Sequence, residues 1–427
     1  MHTLKVKLKQ HTPLIHFQHD QDGATLRASE VKPKLDRYIL SKLTPEEREQ
    51  GEHDGWIKIK NDKVWLDYKM RIEAEGEKRE YMLASYIKDE YVNNLRRSNI
   101  NAISNTPFFA QEKQNTSIRK SQNPQIEWDK IEKKGLLIEG DIMLSVMVKD
   151  DTLSAQIKNF IQSFFVATNF GTRQSKGFGC FSVTELMHEN QNQDLRNFED
   201  LLRENFLFVY KKSLNAQSVQ GVSTVLQTIN DDYRLLKSGL TRPYAKSKLM
   251  LYADSLNSNI GWDKKYIKVN TNDVFVTENG DCYILKCKPQ NKRESYSTKD
   301  DYVYYRAMLG LAEQFEFLLE NPPQNDEKNK MIVKVRNEDI QRYQSPILFK
   351  VYNNVIYLVG NEVESDMLNQ SFDFMVDFQG DDGFETASVS EDGSSINTPA
   401  VFSLRNFISF AMNNTVNRGL NYQTIKQ

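Results

Sequence analysis

A chain of 427 residues is too long for one ordinary core, and its 39% hydrophobic and 27% charged residues suit a protein with packed cores. The formal net charge of −2 excludes a polycation, so a nucleic-acid site must be a local basic patch on a near-neutral body. Cys180, Cys282 and Cys287 are too few and too scattered for a disulfide framework, and they lack the second pair that a zinc site needs. With no apolar leader and no long apolar run, the expected location is the cytoplasm, with no membrane, metal or cofactor involved.

Taken in order, Leu4, Val6 and Leu8 alternate with Lys5, Lys7 and Lys9, the period of a half-buried strand. A loop with Gly23 follows Thr12-Pro13-Leu14. Ser29 is placed to cap a helix from about Glu30 to Lys42 that buries Val31, Leu35, Tyr38 and Ile39. Pro45 to Gly55 reads as a charged connection, and residues 56–74 read as a hairpin turning at Asn61-Asp62. Residues 75–130 are polar and read as a surface insertion, with Phe108 and Phe109 as its anchors. Leu136 to Lys149 reads as one long strand. Ile157, Ile161, Phe164 and Phe165 stand at helical spacing in a helix over 153–168, and Cys180 to Leu186 closes the unit as a strand.

The fold class expected from this order is α+β, as two ferredoxin-like (RRM-like) domains in tandem with insertions. The first spans residues 1–190, with an insertion at about 75–130. The second spans 191–427, with an acidic, Gly- and Ser-rich mobile loop at about 377–397. In the second half the pattern predicts a strand at 206–210, a helix over 222–236, and strands at 264–269, 273–277 and 282–287. It also predicts a helix over 304–320, a hairpin turning at Asn353-Asn354 and a last helix over 402–412.

Between helix and strand lies Phe170-Gly171-Thr172-Arg173-Gln174-Ser175-Lys176-Gly177-Phe178-Gly179-Cys180-Phe181. Three glycines, two cations and three aromatics in twelve residues can build either a tight connection or a cradle for phosphates. A nucleotide-binding P-loop is excluded, because there Gly-Lys precedes Ser or Thr, whereas Lys176 precedes Gly177. In the phosphate reading, amides and the side chains of Arg173 and Lys176 grip RNA, and Phe178 packs inward or stacks on a base. Two further basic stretches are candidates for the same surface. One is Arg27, Lys32, Lys34 and Arg37 at the start of the first helix. The other is Arg242, Lys246 and Lys248 around Tyr244. The first is most often an ordinary solvated face, and the second equally describes a solvated loop.

The glycine loop resembles that of the RAMP superfamily, the repeat-associated proteins of CRISPR effector complexes. Thr12-Pro13-Leu14, followed by Leu26-Arg27-Ala28-Ser29-Glu30-Val31-Lys32-Pro33, resembles the superfamily's first strand end and helix entry, with Lys-Pro where Lys-Gly is common. The mid-chain position of the loop, the Leu-Arg-Ala helix entry, Arg306-Ala307-Met308-Leu309-Gly310-Leu311 and Arg342-Tyr343-Gln344-Ser345-Pro346-Ile347 look most like the Cmr-type (III-B) subunit numbered one. That resemblance implies a non-catalytic subunit that meets the 3′ part of the guide RNA, helps capture target RNA and sits among other RAMP subunits. The runner-up is a metal-independent, guide-processing endoribonuclease. It would take His16 or His19 of the His11/His16/His19 cluster as general base. Asp20 and Asp22 in the same loop resemble the aspartates of target-cleaving RAMP subunits. The bland reading of all of these is a polar loop.

Overall fold

The computed structural model describes the chain except for residues 17–23, 77, 85–101, 105–132, 215–220, 242, 271–273, 277–281, 285–300, 313, 319–329, 381–382 and 389–394. The described part is a mixed α+β structure whose sheets are mainly antiparallel. Two of the sheets, one in each half, frame the candidate site.

The first unit runs β1 (His2–Gln10), α1 (Ala28–Lys42), β2 (Tyr68–Glu75), β3 (Asp141–Val148), α2 (Asp151–Ala167) and β4 (Phe181–His188). Its strands lie in the order β4-β1-β3-β2, with the short strand Gln191–Asn192 outside β4. The register puts Val6 opposite Leu144 and Leu8 opposite Ile142, so every second side chain of β1 enters the core. There it meets Leu35 and Ile39 of α1 and Ile157, Ile161 and Phe164 of α2. The second unit runs β5 (Phe208–Ser213), α3 (Val222–Lys237), β6 (Ile347–Tyr352), β7 (Val355–Gly360), α4 (Leu404–Asn413) and β8 (Gln423–Lys426). Its order is β6-β7-β5-β8, and every pair is antiparallel. In each unit the chain goes strand, helix, strand, strand, helix, strand, and the first and third strands lie side by side at the centre.

Several expectations need correction. Pro45–His53 is a helix, because Thr44 and Glu47 make a reciprocal capping box and Pro45 fits the first turn. Ser29 is not the cap of α1. Arg27 holds that position with extended backbone, and no side chain caps it. The long strand after Leu136 is two strands, Lys133–Ile138 and Asp141–Val148, which belong to different sheets. Residues 263–270 form a helix rather than a strand. The helix expected over 304–320 is a single 3-10 turn, Tyr305–Leu309, followed by the strand Gln314–Leu318. Gly310 at φ 98° ends the turn, and Phe315 pairs with Val333 on the neighbouring strand. The acidic stretch from Asp377 continues the strand Ser371–Gly380 and pairs with Gly383–Ser388. Of the polar insertion, the strands Arg79–Ala84 and Ala102–Ser104 are described, while Phe108 and Phe109 lie outside the described residues.

Candidate functional site

The glycine loop leaves the end of α2 and turns back to start β4. Its glycines are required by position. Gly171, Gly177 and Gly179 have φ of 77°, 79° and 63°. A Cβ at Gly179 would stand 2.0 Å from Phe170 O, and one at Gly171 would stand 2.3 Å from Ile15 O. Arg173 also holds a left-handed conformation, at φ 55°.

The loop amides do not form an open anion cradle. Gly171 N donates to Glu30 Oε1 at 2.6 Å and Thr172 N to Ile15 O at 2.7 Å. Gly179 N donates to Pro13 O at 2.8 Å, and Cys180 N to Thr12 Oγ1 at 3.0 Å. Lys176 N and Gly177 N close turns within the loop. Of the amides anticipated for phosphate, those of Gly171, Thr172, Gly179 and Cys180 are thus committed to the Thr12–Ile15 segment and to α1. Phe178 packs inward at 4% exposure, not onto the surface.

The loop also joins the two units. Lys176 bridges Phe349 of β6 in parallel fashion, and Phe349 N donates to Ser175 O at 3.1 Å. Asn169 Nδ2 donates to Gln174 O at 2.8 Å and Phe349 O at 3.0 Å. Lys350, fully buried, donates to Phe165 O at 2.6 Å, Thr168 O at 2.8 Å and Asn169 Oδ1 at 3.0 Å, satisfying the carbonyls at the end of α2. Burial lowers its ammonium to about 8. His11 is part of the same joint. It accepts from Asn353 N through Nδ1 (3.4 Å), so Nε2 carries the proton toward Ser182 Oγ at 2.8 Å. Burial, then Lys9 and Lys350, push its pKa down to about 3, which holds it neutral.

Beside this joint opens a cleft of ≈ 560 Å³. Lys34 and Arg37 of α1 line one wall, Asn169 and, from the glycine loop, Gln174 the floor, and Tyr343, Gln344, Ser345, Glu362 and Glu364 the wall from the second unit. The structure therefore brings together three stretches that the sequence offers separately: the basic helix start, the glycine loop and the Arg342–Ile347 motif. Lys34 Nζ donates to Asn169 O at 3.2 Å and approaches Glu30 at 3.4 Å. Burial lowers its pKa, with Glu30 pulling the other way. Arg37 is exposed, and its Nε donates to Pro33 O at 3.2 Å.

The other anticipated cations fall elsewhere. Lys32 is tied to Asp36 at 2.8 Å and Leu66 O at 2.9 Å, over the Tyr68 ring. Arg27 is exposed ahead of α1. Lys176 is half-buried, with Nζ 4.9 Å from the centre of the Tyr233 ring. Burial, then Arg173 and Lys237, lower its pKa to about 7, so it is not a permanent charge. In the second basic stretch Lys248 is not a surface cation. It is 0% exposed and donates to Asn414 O (2.6 Å), Asn414 Oδ1 (3.0 Å) and Val416 O (3.0 Å), just beyond α4. Lys246 pairs with Asp254, and Arg242 lies outside the described residues. So do His19, Asp20 and Asp22. His16 is half-buried, its Nε2 has no hydrogen-bond partner among the described residues, and burial lowers its pKa. Lys350 and Asn169, which hold the cleft floor in place, carried no signal in the sequence beyond an isolated polar residue in an apolar run.

Among the described residues no helix is long and apolar enough to cross a membrane. No curated protein matches the chain. Among solved structures the chain is similar to one in the cryo-EM structure of the Type III-B Cmr-beta bound to cognate target RNA. The identity there is 12%, over 44% of this chain and 60% of that one, with a TM-score of 0.27. It is also similar to Cmr1 from Pyrococcus furiosus in its apo form, at 8% identity over 55% of this chain and 72% of that one, with a TM-score of 0.30. The match thus spans under two thirds of the first of these chains. The model of the Cmr1 N-terminal domain matches residues 1–240, and that of the Cmr1 C-terminal domain matches residues 244–427. The chain therefore belongs to the Cmr1 family, RAMP subunits of type III-B CRISPR systems.

Proposed function

We propose that this chain is a non-catalytic RNA-binding subunit of a type III-B CRISPR ribonucleoprotein. It would contact the 3′ region of guide RNA, target RNA, or both, beside other RAMP subunits in the cytoplasm. Each half is read as a ferredoxin-like domain, residues 1–190 and 191–427, and the strand order around the paired central strands supports this. The observation that carries the reading is the convergence of Lys34, Arg37 and the glycine loop with Tyr343–Ser345 on one cleft. Cations on one wall offer contacts to phosphates, while the floor and the other wall, which also carries Glu362 and Glu364, hold polar and aromatic groups that suit an unstacked base. Arg173, whose guanidinium lies 5.6 Å from the centre of the Phe178 ring, is proposed as a further phosphate contact. The amides of the loop have a structural role in this proposal, so the affinity rests on side chains.

Copurification tests it. The chain expressed with a CRISPR array and candidate partner subunits is expected to retain a short RNA, and Arg37→Ala with Arg173→Ala is expected to lose it. Site-specific cleavage of repeat RNA in EDTA that disappears in His16→Ala or His19→Ala would overturn the non-catalytic assignment.

A further inference from the structure

The end of the first sheet remote from the cleft carries a cluster that RNA binding does not use. His2 opens β1 and His188 closes β4, and Leu4 pairs with His188 across the antiparallel ladder. The two imidazoles stack with centroids 6.3 Å apart and planes at 19°. Glu189 follows in a turn in which it and Asn190 have φ of 52° and 64°. Its amide donates to Thr3 O at 3.1 Å, which ties the turn to β1. Its carboxylate meets His2 Nδ1 at 2.6 Å. On the other side of the same ring, His2 Nε2 contacts Asp151 in the first turn of α2. One donor atom each from His2, His188 and Glu189 lies within 4.8 Å of the others.

We propose that His2, His188 and Glu189 form a site for a transition-metal dication, with zinc as the ion whose chemistry fits best. Two imidazoles and one carboxylate are a three-ligand set that zinc completes with water. Magnesium and calcium prefer all-oxygen surroundings, so nitrogen donors select against them. The positions of the neighbouring groups fit the same reading. If His2 binds through Nδ1, its Nε2–H donates to Asp151, the outer carboxylate that orients a metal-bound imidazole. Ser154 Oγ lies 3.0 Å from His188 Nε2 and holds that ring in the same way. Two paired strands and a pinned turn deliver the donors, so small side-chain movements close the site. A bulky residue in the left-handed region is disfavoured in such a turn, where Gly or Asn would sit easily. Glu189 accepts that cost and supplies a carboxylate. Bound metal would staple the start of β1 to the end of β4 and, through Asp151, to α2.

The competing explanation is that a protonated His2 simply bridges Glu189 and Asp151. Calorimetric titration of tag-free, full-length chain with zinc chloride at pH 7.5 separates the two. The expected result is one saturable site per chain, proton release into the buffer and a raised melting temperature. His188→Ala and Glu189→Gln are each expected to weaken binding about tenfold or more. His53→Ala, which removes an exposed histidine elsewhere, should leave it unchanged, and magnesium chloride should give no binding. Glu189→Gln preserves shape and keeps the test meaningful if His188→Ala folds poorly. Absence of saturable zinc binding, or zinc binding undiminished in both Glu189→Gln and His188→Ala, would overturn the site.

Discussion

Arg173 and Lys176 do not line the cleft, and they differ in a way that makes any share of theirs in RNA binding measurable. A guanidinium stays charged at every working pH. Lys176 does not, because burial and then the charges of Arg173 and Lys237 bring its pKa to about 7. For single-stranded RNA each neutralised phosphate adds about 0.7 to the slope of log affinity against log salt. Arg173→Ala is therefore expected to lower that slope by about 0.7 at pH 6 and at pH 8 alike. Lys176 is roughly ninety per cent protonated at pH 6 and roughly ten per cent at pH 8, from a tenfold change in ratio per pH unit. Lys176→Ala should then lower the slope by about 0.6 at pH 6 and by less than about 0.1 at pH 8. Only the ammonium attracts phosphate, so wild-type affinity should fall as pH rises through 7, and Lys176→Ala should flatten that fall. Fluorescence anisotropy of a labelled single-stranded RNA over a sodium chloride series at pH 6, 7 and 8 reads both effects. An Arg173→Ala slope equal to wild type, or a Lys176→Ala effect equal at pH 6 and 8, would refute the assignment of these contacts.

Three further outcomes concern the joint between the units. Gly179→Ala puts a Cβ 2.0 Å from the backbone oxygen of Phe170 at φ 63°, and it should destabilise the chain by more than about 2 kcal/mol in urea unfolding; a loss below about 0.5 kcal/mol would show that the loop relaxes freely. Lys350→Met keeps the stem but strips the donor from Phe165 O, Thr168 O and Asn169 Oδ1, at an expected cost of about 2–4 kcal/mol seen as a lower melting temperature; an unchanged melting temperature would mean that water replaces the ammonium. His11 is held neutral with its pKa at about 3, against an ordinary value of 6.5, so the unfolded chain binds more protons between those values. Stability should fall as pH drops from 6.5 towards 3, and His11→Gln should flatten that fall when urea midpoints are compared at pH 7 and pH 4.

Local pattern made much of this protein legible from its sequence. The alternation of Leu4, Val6 and Leu8 fixes which face of β1 is buried, and the spacing of Ile157, Ile161 and Phe164 fixes the buried stripe of α2. These periods are written within a few residues, so no distant contact is needed to read them. The glycines at 171, 177 and 179 are legible as turn residues from their left-handed backbone, although the close approach of Ile15 O to Gly171 and of Ile229 to Gly177 is tertiary. What the sequence could not decide is where polar groups find their partners. The loop amides were free to point at an anion until Ile15, Pro13 and Glu30 were folded against them. Lys248 and Lys350 resemble surface cations in a string of letters, yet each is buried by carbonyls far along the chain. Tyr304 to Leu318 has apolar residues at helical spacing, but pairing with Lys330–Arg336 and the turn at Gly310 made its second part a strand. The meeting of Lys34, Gln174 and Ser345 in one cleft, and of His2 with His188, depends on segments far apart in sequence. Partner choice over such distances is set by how sheets and helices pack, and only the tertiary structure contains that information.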